Sequence, residues 1–271
     1  MMEINKIYNE NCLDTMSRMP NDFIDLTVTS PPYDNLRNYN GYTFDFESIA
    51  HELFRVTKHG GVVVWIVGDT TINGSETGTS FKQALYFKKI GFNLHDTMIY
   101  HKESIPTQKN RYQQHFEYMF VMCKGKIKNT NLIKIKCKLY GKKSSKHSDR
   151  QKNGIVKKQR STEFTKKYKI KGNIWKYNVG YMHSTKDKIA YEHPATFPEQ
   201  LANDHIISWS NPDDLVYDCF TGSGTTAKMC LRNDRNFIGS ELSSEYCDIA
   251  NKRIEETKKI IALEKTQMKL F

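Results

Sequence analysis

The sequence predicts an α/β fold built on an open parallel sheet. Three observations carry this. Two short apolar runs, Ile24–Thr29 and Leu215–Asp218, read as buried parallel strands. Each stops at a distinctive loop, Ser30-Pro31-Pro32-Tyr33 after the first and Phe220-Thr221-Gly222-Ser223-Gly224 after the second. The end of a strand is where an open α/β sheet holds its ligand. Strand runs also alternate with helical patterns on either side of a basic stretch. A length of 271 residues suits one large domain, or one domain with an insert.

The elements follow in order. After Ile24–Thr29 comes a polar loop, 34–42, rich in Asn, Tyr and Gly. Residues 45–58 carry Phe46, Ile49, Leu53 and Val56 at helical spacing, and Gly60-Gly61 is the expected stop. The β-branched run 62–67 reads as a buried strand ended by Gly68-Asp69. Ser80-x-x-Gln83 has the form of a capping box, opening a helix with Phe81, Leu85 and Phe87 that ends at Gly91. Residues 92–100 and 116–122 are further strands. Beyond the basic stretch, Phe197-Pro198 opens a helix with Leu201, Ala202, Ile206 and Trp209 on one side, proline being favourable in a first turn. Leu215–Asp218, the glycine loop, a helix over 225–233 and a strand over 236–241 form a βαβ unit. A last amphipathic helix starts near Ser243, with fraying expected after Ala262.

Charge divides the chain. The formal net charge is +11, pointing to a polyanionic partner. Residues 124–188 hold 21 Lys and Arg against three acids (Asp149, Glu163, Asp187), a net +18, which leaves −7 for the remainder. That stretch has no clean period and carries Tyr140, Phe164, Tyr168, Trp175, Tyr177 and Tyr181 among its lysines. It reads as an inserted module or a partly disordered arm. The domains expected are therefore 1–123, the insert 124–188, and 189–271 completing the first.

Six cysteines, none in CxxC spacing, give no zinc pattern and suit a reduced intracellular chain. The first residues are unlike a signal peptide, and no apolar run nears the roughly 20 residues that span a bilayer. A soluble, cytoplasmic protein is expected.

Two motifs carry chemistry. The glycines let backbone N–H groups approach a ligand closely, and Glu241 ends the next strand 17 residues after Gly224. An acid there accepts hydrogen bonds from ribose hydroxyls, so the pair reads as a nucleoside site; alone, the loop also fits a plain turn. No Gly-Lys-Ser/Thr follows, so it is not a phosphate loop of the nucleotide-hydrolase kind. In Ser30-Pro31-Pro32-Tyr33, two prolines remove two backbone donors and stiffen the chain. What remains is outward carbonyls, a hydroxyl and an aromatic face, which suit an extruded base bearing an NH2 group. A rigid proline turn capped by a core tyrosine fits the same four residues.

Together, Thr29-Ser30-Pro31-Pro32-Tyr33 and Asp218-Cys219-Phe220-Thr221-Gly222-Ser223-Gly224-Thr225-Thr226 resemble the signature blocks of amino-directed DNA methyltransferases. The catalytic block precedes the cofactor block, with a recognition region between, as in the permuted class called beta. Asn11-Cys12-Leu13, His115-Phe116-Glu117-Tyr118, Ala195-Thr196-Phe197-Pro198-x-x-Leu201 and Ile238-Gly239-Ser240-Glu241 also look like family segments. Cys219 departs from the family's usual proline. The resemblance covers both α/β segments and not the basic stretch.

The resemblance implies a Rossmann-like methyltransferase sheet with helices on both faces, permuted motif order and a basic target-recognition insert. It implies S-adenosylmethionine as cofactor. Asp218, Phe220, Gly222, Ser223 and Gly224 would line its methionine and ribose side, and Glu241 would hold the ribose hydroxyls. Asn11 and Cys12 would lie near adenine, and Thr196, Phe197 and Pro198 beside the methionine tail; core packing competes for Phe197 and Leu201. Ser30 and the Pro31 carbonyl would accept the target amine's hydrogens, Pro32 would stiffen the turn and Tyr33 would stack on the base. No Pro-Cys dipeptide occurs, which argues against ring-carbon cytosine chemistry. Ser30 favours cytosine N4, because family members acting on adenine N6 mostly carry Asp there; adenine N6 is the alternative.

Double-stranded DNA is the expected partner, held by Lys142, Lys143, Lys146, Arg150, Lys157, Lys158 and Arg160, with Arg37 closing over the flipped nucleotide or lying on the surface. Asp69 lines the pocket or caps a strand end, and Tyr100 stacks on the base or sits in the core. A cognate restriction endonuclease and a homodimer are compatible with the family. An RNA substrate, or nucleic-acid binding without catalysis, are the rival readings.

Overall fold

The computed structural model describes residues 2–32, 44–103, 110–143, 148–158 and 164–268. The chain forms two compact units, Met1–Asn131 with Asn173–Phe271, and Leu132–Gly172.

The larger unit is built on one eight-stranded sheet: β1 (Lys6–Tyr8), β2 (Ile24–Thr29), β3 (Thr57–Val67), β4 (Asn93–Lys102), β5 (Phe116–Cys123), β6 (Ile174–Tyr177), β7 (Leu215–Asp218) and β8 (Asn236–Ser240). Their order across the sheet is β1-β8-β7-β2-β3-β5-β4-β6. All pairings are parallel except those of β5, which runs against both β3 and β4. The carboxyl ends of β2, β7 and β8 therefore share one edge.

Among the described residues, six helices cover the sheet: α1 (Cys12–Ser17), α2 (Phe46–Val56), α3 (Thr79–Lys89), α4 (Glu199–Trp209), α5 (Thr225–Arg232) and α6 (Ser244–Met268). Side chains alternate across a strand, so each strand feeds both faces. Val63, Trp65, Val67, Phe120, Met122 and Tyr217 join one core with Met16 of α1, Ile49 and Leu53 of α2 and Phe87 of α3. The opposite face carries Met119, whose sulfur lies 3.2 Å from His205 Nε2 of α4. Helices on both faces are thus observed.

Local differences from the sequence reading have physical causes. The stop expected at Gly60-Gly61 falls at Val56, because Thr57 already pairs with Ile24 and the glycines lie inside β3. A Cβ at Gly61 would stand 2.9 Å from Asp25 O, so the pair permits close strand approach rather than ending a helix. The capping box does not form. Gly78 caps α3, Asp69 takes the Ser80 N–H (2.9 Å) and hydroxyl (2.5 Å), and Gln83 Oε1 accepts from the buried Trp65 indole at 2.8 Å. The last helix extends past Ala262 to Met268, with Glu264 and Lys265 paired to Arg232 and Asp234.

The second unit is narrower than the basic stretch 124–188. Ile174–Tyr177 pairs with β4 as an edge strand of the main sheet, burying Trp175 and Tyr177. The described residues of Leu132–Gly172 form two antiparallel pairs, Lys134–Lys136 with Tyr168–Ile170 and Ser148–Arg150 with Val156–Lys158. Tyr140, Phe164 and Tyr168 are exposed, as are Lys142, Lys143, Arg150 and Lys157. Lys158 pairs with Ser148 in register. Lys146 and Arg160 lie outside the described residues. Among the described residues, no helix is long and apolar enough to cross a membrane.

Candidate active site

β2 and β7 are sheet neighbours in register, Leu26 opposite Val216 and Thr27 opposite Tyr217. Parallel pairing brings both carboxyl ends to one place. There the Thr29 hydroxyl donates to Asp218 Oδ1 at 2.7 Å, the Cys219 thiol donates to Thr29 Oγ1 at 3.5 Å, and the Thr226 hydroxyl donates to the Val28 carbonyl at 3.4 Å. Residues 189 or more positions apart are thus bonded directly at the roots of the two motifs. Ser30 and Pro32 are half-buried and Pro31 is buried. Tyr33 and Arg37 lie outside the described residues.

The glycine loop is fixed by its own backbone. Thr221 N–H donates to Ser240 O (3.0 Å), Gly222 N–H to Glu241 Oε2 (2.8 Å) and Gly224 N–H to Thr221 O (2.9 Å). This winding puts Gly222 at φ +51° and Gly224 at φ +79°, which side chains disfavour. At Gly224 space is also lacking, since a Cβ would stand 2.8 Å from Ala250 Cβ of α6.

Glu241 Oε1 accepts the Ser243 N–H at 2.9 Å while Oε2 holds Gly222. A carboxylate has about four acceptor positions, so these two bonds orient it and leave capacity for two hydroxyls. Burial pushes its carboxyl above the ordinary value of 4.5, against the backbone N–H groups of Ser243, Gly222 and Leu242. Burial likewise raises Asp218, against hydrogen bonds from Thr29, Thr226 and the Phe220 N–H. The Cys219 thiol is buried and pushed well above its ordinary range, an inert packing group rather than a nucleophile.

The Phe220 ring meets Phe44 (5.8 Å) and Trp65 (6.3 Å) edge-on. Asn11 caps α1, its Oδ1 accepting from the Leu13 N–H at 2.9 Å, and the buried Cys12 lends its carbonyl to the Tyr217 hydroxyl at 3.5 Å. Asn9 and Tyr8 join this segment to Glu241 through its backbone. Thr196 donates to Ala190 O at 3.3 Å, Pro198 is the cap residue of α4, and Phe197 stays half-buried where Leu201 is fully buried. Asp69 holds the start of α3, and Tyr100 is a core residue beside Tyr177. Ser223 contributes its carbonyl and hydroxyl to a buried arginine.

Two residues escaped the sequence reading. His193 packs against the glycine loop, so that a Cβ on Gly222 would lie 3.0 Å from its Nε2, and its ring meets Tyr246 edge-on at 4.4 Å. Its only signal was adjacency to Ala195-Thr196-Phe197-Pro198. Arg253, fully buried on α6, binds the loop from behind. Its signal was an arginine on the stripe of Ile249, Ala250 and Ile254. Among the described residues no group of three or more His, Cys, Asp or Glu could hold a metal ion.

A DNA methylase family profile matches residues 24–252. The chain belongs to this family. The methylase is 60% identical over 235 residues to the orphan methyltransferase M.BamHII of Bacillus amyloliquefaciens, covering 86% of this chain and 89% of that one. Its fold matches the cytosine-N4-specific PvuII DNA methyltransferase at TM-score 0.68 and 19% identity, over 96% of this chain and 92% of that one. It also matches a putative DNA modification methylase of Thermus thermophilus, solved with S-adenosyl-L-methionine, at TM-score 0.64 and 21% identity, over 93% of each chain.

The raised carboxyl of Glu241 sets a pH dependence for the methylase. Accepting two hydroxyls requires the ionised form. Any hydroxyl binding that draws on the ionised carboxylate is therefore expected above the folded-state value and lost as pH falls through it, at a pH above 4.5. In the free protein the sign reverses: stability falls as pH rises from the ordinary carboxylate value through the raised one. Glu241→Gln should weaken cofactor binding about tenfold at neutral pH and flatten the acid limb, read by calorimetric titration between pH 5 and 8.

Proposed function

We propose that this methylase transfers a methyl group from S-adenosylmethionine to the exocyclic N4 amine of cytosine in duplex DNA. The observation that carries this reading is the Thr29–Asp218 hydrogen bond, which sets the proline-stiffened turn beside the glycine loop. The donor and acceptor set fits the cofactor. Glu241 is oriented by two backbone N–H groups with acceptor capacity to spare, and Gly222 and Gly224 allow the positive-φ winding of the loop.

When bound, the cofactor supplies an electrophilic methyl on a sulfonium. Glu241 holds the ribose hydroxyls, Asn11 and Cys12 border the adenine, and the Asp218–Gly224 loop with Phe220 and Ser223 lines the middle. Thr196, Phe197 and Pro198 flank the methionine end. A nucleobase amine is a poor nucleophile because its lone pair is shared with the ring. Ser30 Oγ and the Pro31 carbonyl, accepting its two N–H bonds, favour a pyramidal nitrogen, and Tyr33 stacks on the ring. Positioning supplies most of the acceleration in such an in-line transfer, with acceptors placed where positive charge develops.

The unit Leu132–Gly172 holds the duplex. Lys142, Lys143, Lys146, Arg150, Lys157, Lys158 and Arg160 neutralise phosphates without reading sequence. Exposed Tyr140, Phe164 and Tyr168 give it rings that can stack where a base leaves the helix. Ser30 is the observation favouring cytosine; adenine N6 is the second reading, since either amine presents two N–H groups to the same acceptors.

The test is nucleoside mass spectrometry of unmodified duplex DNA treated with the protein and S-adenosylmethionine. N4-methylcytosine is expected. N6-methyladenine alone would overturn the choice of base, and no methylated base in DNA of varied sequence would overturn the activity.

A further inference from the structure

Behind the glycine loop lies a charge cluster that no part of the proposed chemistry uses. Arg253, on α6, is fully buried. Its Nη1 donates to Ser223 O (2.5 Å), Ser223 Oγ (3.1 Å) and Thr225 Oγ1 (3.2 Å). Nη2 donates to Glu199 Oε1 (2.8 Å) and Thr185 Oγ1 (3.5 Å), and Nε to Asp187 Oδ2 (2.9 Å). Lys228 Nζ donates to the same two carboxylate oxygens, each at 2.7 Å. Two cations therefore face two carboxylates. Burial pushes the Asp187 carboxyl up, and the hydrogen bonds and charges of Lys228 and Arg253 more than offset that, leaving it below the ordinary value.

Stability alone is a poor reason for such a cluster. Well-packed apolar side chains often serve a buried site as well as balanced ions do. What the ions add is geometry. A guanidinium presents its donors in a rigid planar fork that sets the direction of each acceptor, whereas the three donors of an ammonium rotate freely. Here the acceptors belong to separate pieces of the site. Ser223 and Thr225 belong to the glycine loop and its helix. Thr185 and Asp187 belong to the segment leading to His193, and Glu199 opens α4 directly after Thr196-Phe197-Pro198. The Ser223–Gly224 peptide is held at both ends, its carbonyl by Arg253 and its N–H by Thr221 O.

We propose that Arg253 is a positioning residue for the cofactor: its buried fork sets the glycine loop against the 185–199 segment and so fixes the gap in which the methionine end of S-adenosylmethionine lies. This rests on the cofactor reading above. Arg253 touches neither cofactor nor DNA, and DNA affinity does not depend on it.

Three variants test this, with S-adenosylmethionine affinity from calorimetry, DNA affinity from fluorescence anisotropy and Tm measured on each. Arg253→Met leaves one carboxylate uncompensated and lowers Tm. Arg253→Met with Asp187→Asn restores charge balance, leaving Lys228 facing Glu199, and recovers most of that Tm. The expected result is that the balanced pair still binds the cofactor at least tenfold more weakly than wild type, with DNA affinity within twofold. Arg253→Lys, which keeps charge and loses the fork, should show the same split. Wild-type cofactor affinity in the balanced pair, or in Arg253→Lys if the pair does not fold, would make Arg253 a stability residue only and overturn the inference. Failure of the wild-type protein itself to bind S-adenosylmethionine would instead overturn the cofactor reading on which it stands.

Discussion

Ser30→Ala is expected to lower methyl transfer by about two to three orders of magnitude and to leave S-adenosylmethionine affinity within twofold. The magnitude is that of deleting one preorganised hydrogen-bonding group aimed at charge that develops in the transition state. The asymmetry follows from position. Ser30 leaves β2 one residue past Thr29, whose hydroxyl already ties the strand end to Asp218. Removing Ser30 Oγ disturbs neither that tie nor the Glu241–Gly222 bond that orients the nucleoside end. The loss should appear in kcat, because an interaction strengthened as the amine becomes pyramidal is made mainly in the transition state. Rapid-quench single-turnover assays with labelled cofactor, beside calorimetry on the same preparation, separate the two effects. Transfer near the wild-type rate would remove Ser30 from the site. Pro31→Ala tests the same turn differently, since it keeps the carbonyl but restores a backbone N–H at a buried position.

Gly224→Ala has the largest expected effect on the folded state. The residue holds φ +79°, which costs an L side chain about 1–2 kcal/mol. Its new methyl would stand 2.8 Å from Ala250 Cβ, with Ala250 Cα at 3.0 Å. Neither atom is the end of a flexible chain, so α6 or the loop must shift, at about 1–3 kcal/mol. The sum is about 3 kcal/mol, and at this size that lowers Tm by on the order of 10 °C. Cofactor binding should fall further than stability does, because a displaced loop carries Gly222 away from Glu241. Adding Ala250→Gly removes the Cβ contact but leaves the Cα approach and the backbone strain, and costs about 1 kcal/mol of helix propensity, so the double variant should recover at most a small part of the Tm loss, read by differential scanning calorimetry. A Tm within about 2 °C of wild type for Gly224→Ala would show the loop to be more compliant than its bonding implies.

The parts of this fold written locally in the chain were legible there. β2, β7 and β8 are short apolar runs, and the motifs at their ends are local in sequence, so their meeting at one edge follows from parallel pairing. What depended on tertiary partners was not legible. Gly60-Gly61 looks like a helix stop, yet the strand pairing of Thr57 with Ile24 decides the boundary. Ser80 and Gln83 have capping-box spacing, but Asp69 and Trp65 claim them first. Ile174–Tyr177 alternates exposed and buried residues as an edge strand should, and the surrounding lysines hid that pattern. At the site, Glu241 and the glycines could be placed from spacing, whereas Arg253 and His193 could not. Their roles arise from contacts with Ser223 and Gly222, many turns away along the chain, and a lone arginine or histidine carries no local mark of that.

A ternary complex with duplex DNA and a non-reactive S-adenosylmethionine analogue would test the central claim most directly. One extruded base should lie with its amine within hydrogen-bonding reach of Ser30 Oγ and the Pro31 carbonyl, facing the analogue held by Glu241 and the glycine loop. A base seated elsewhere, with the Ser30-Pro31-Pro32 turn packed away from it, would contradict the account.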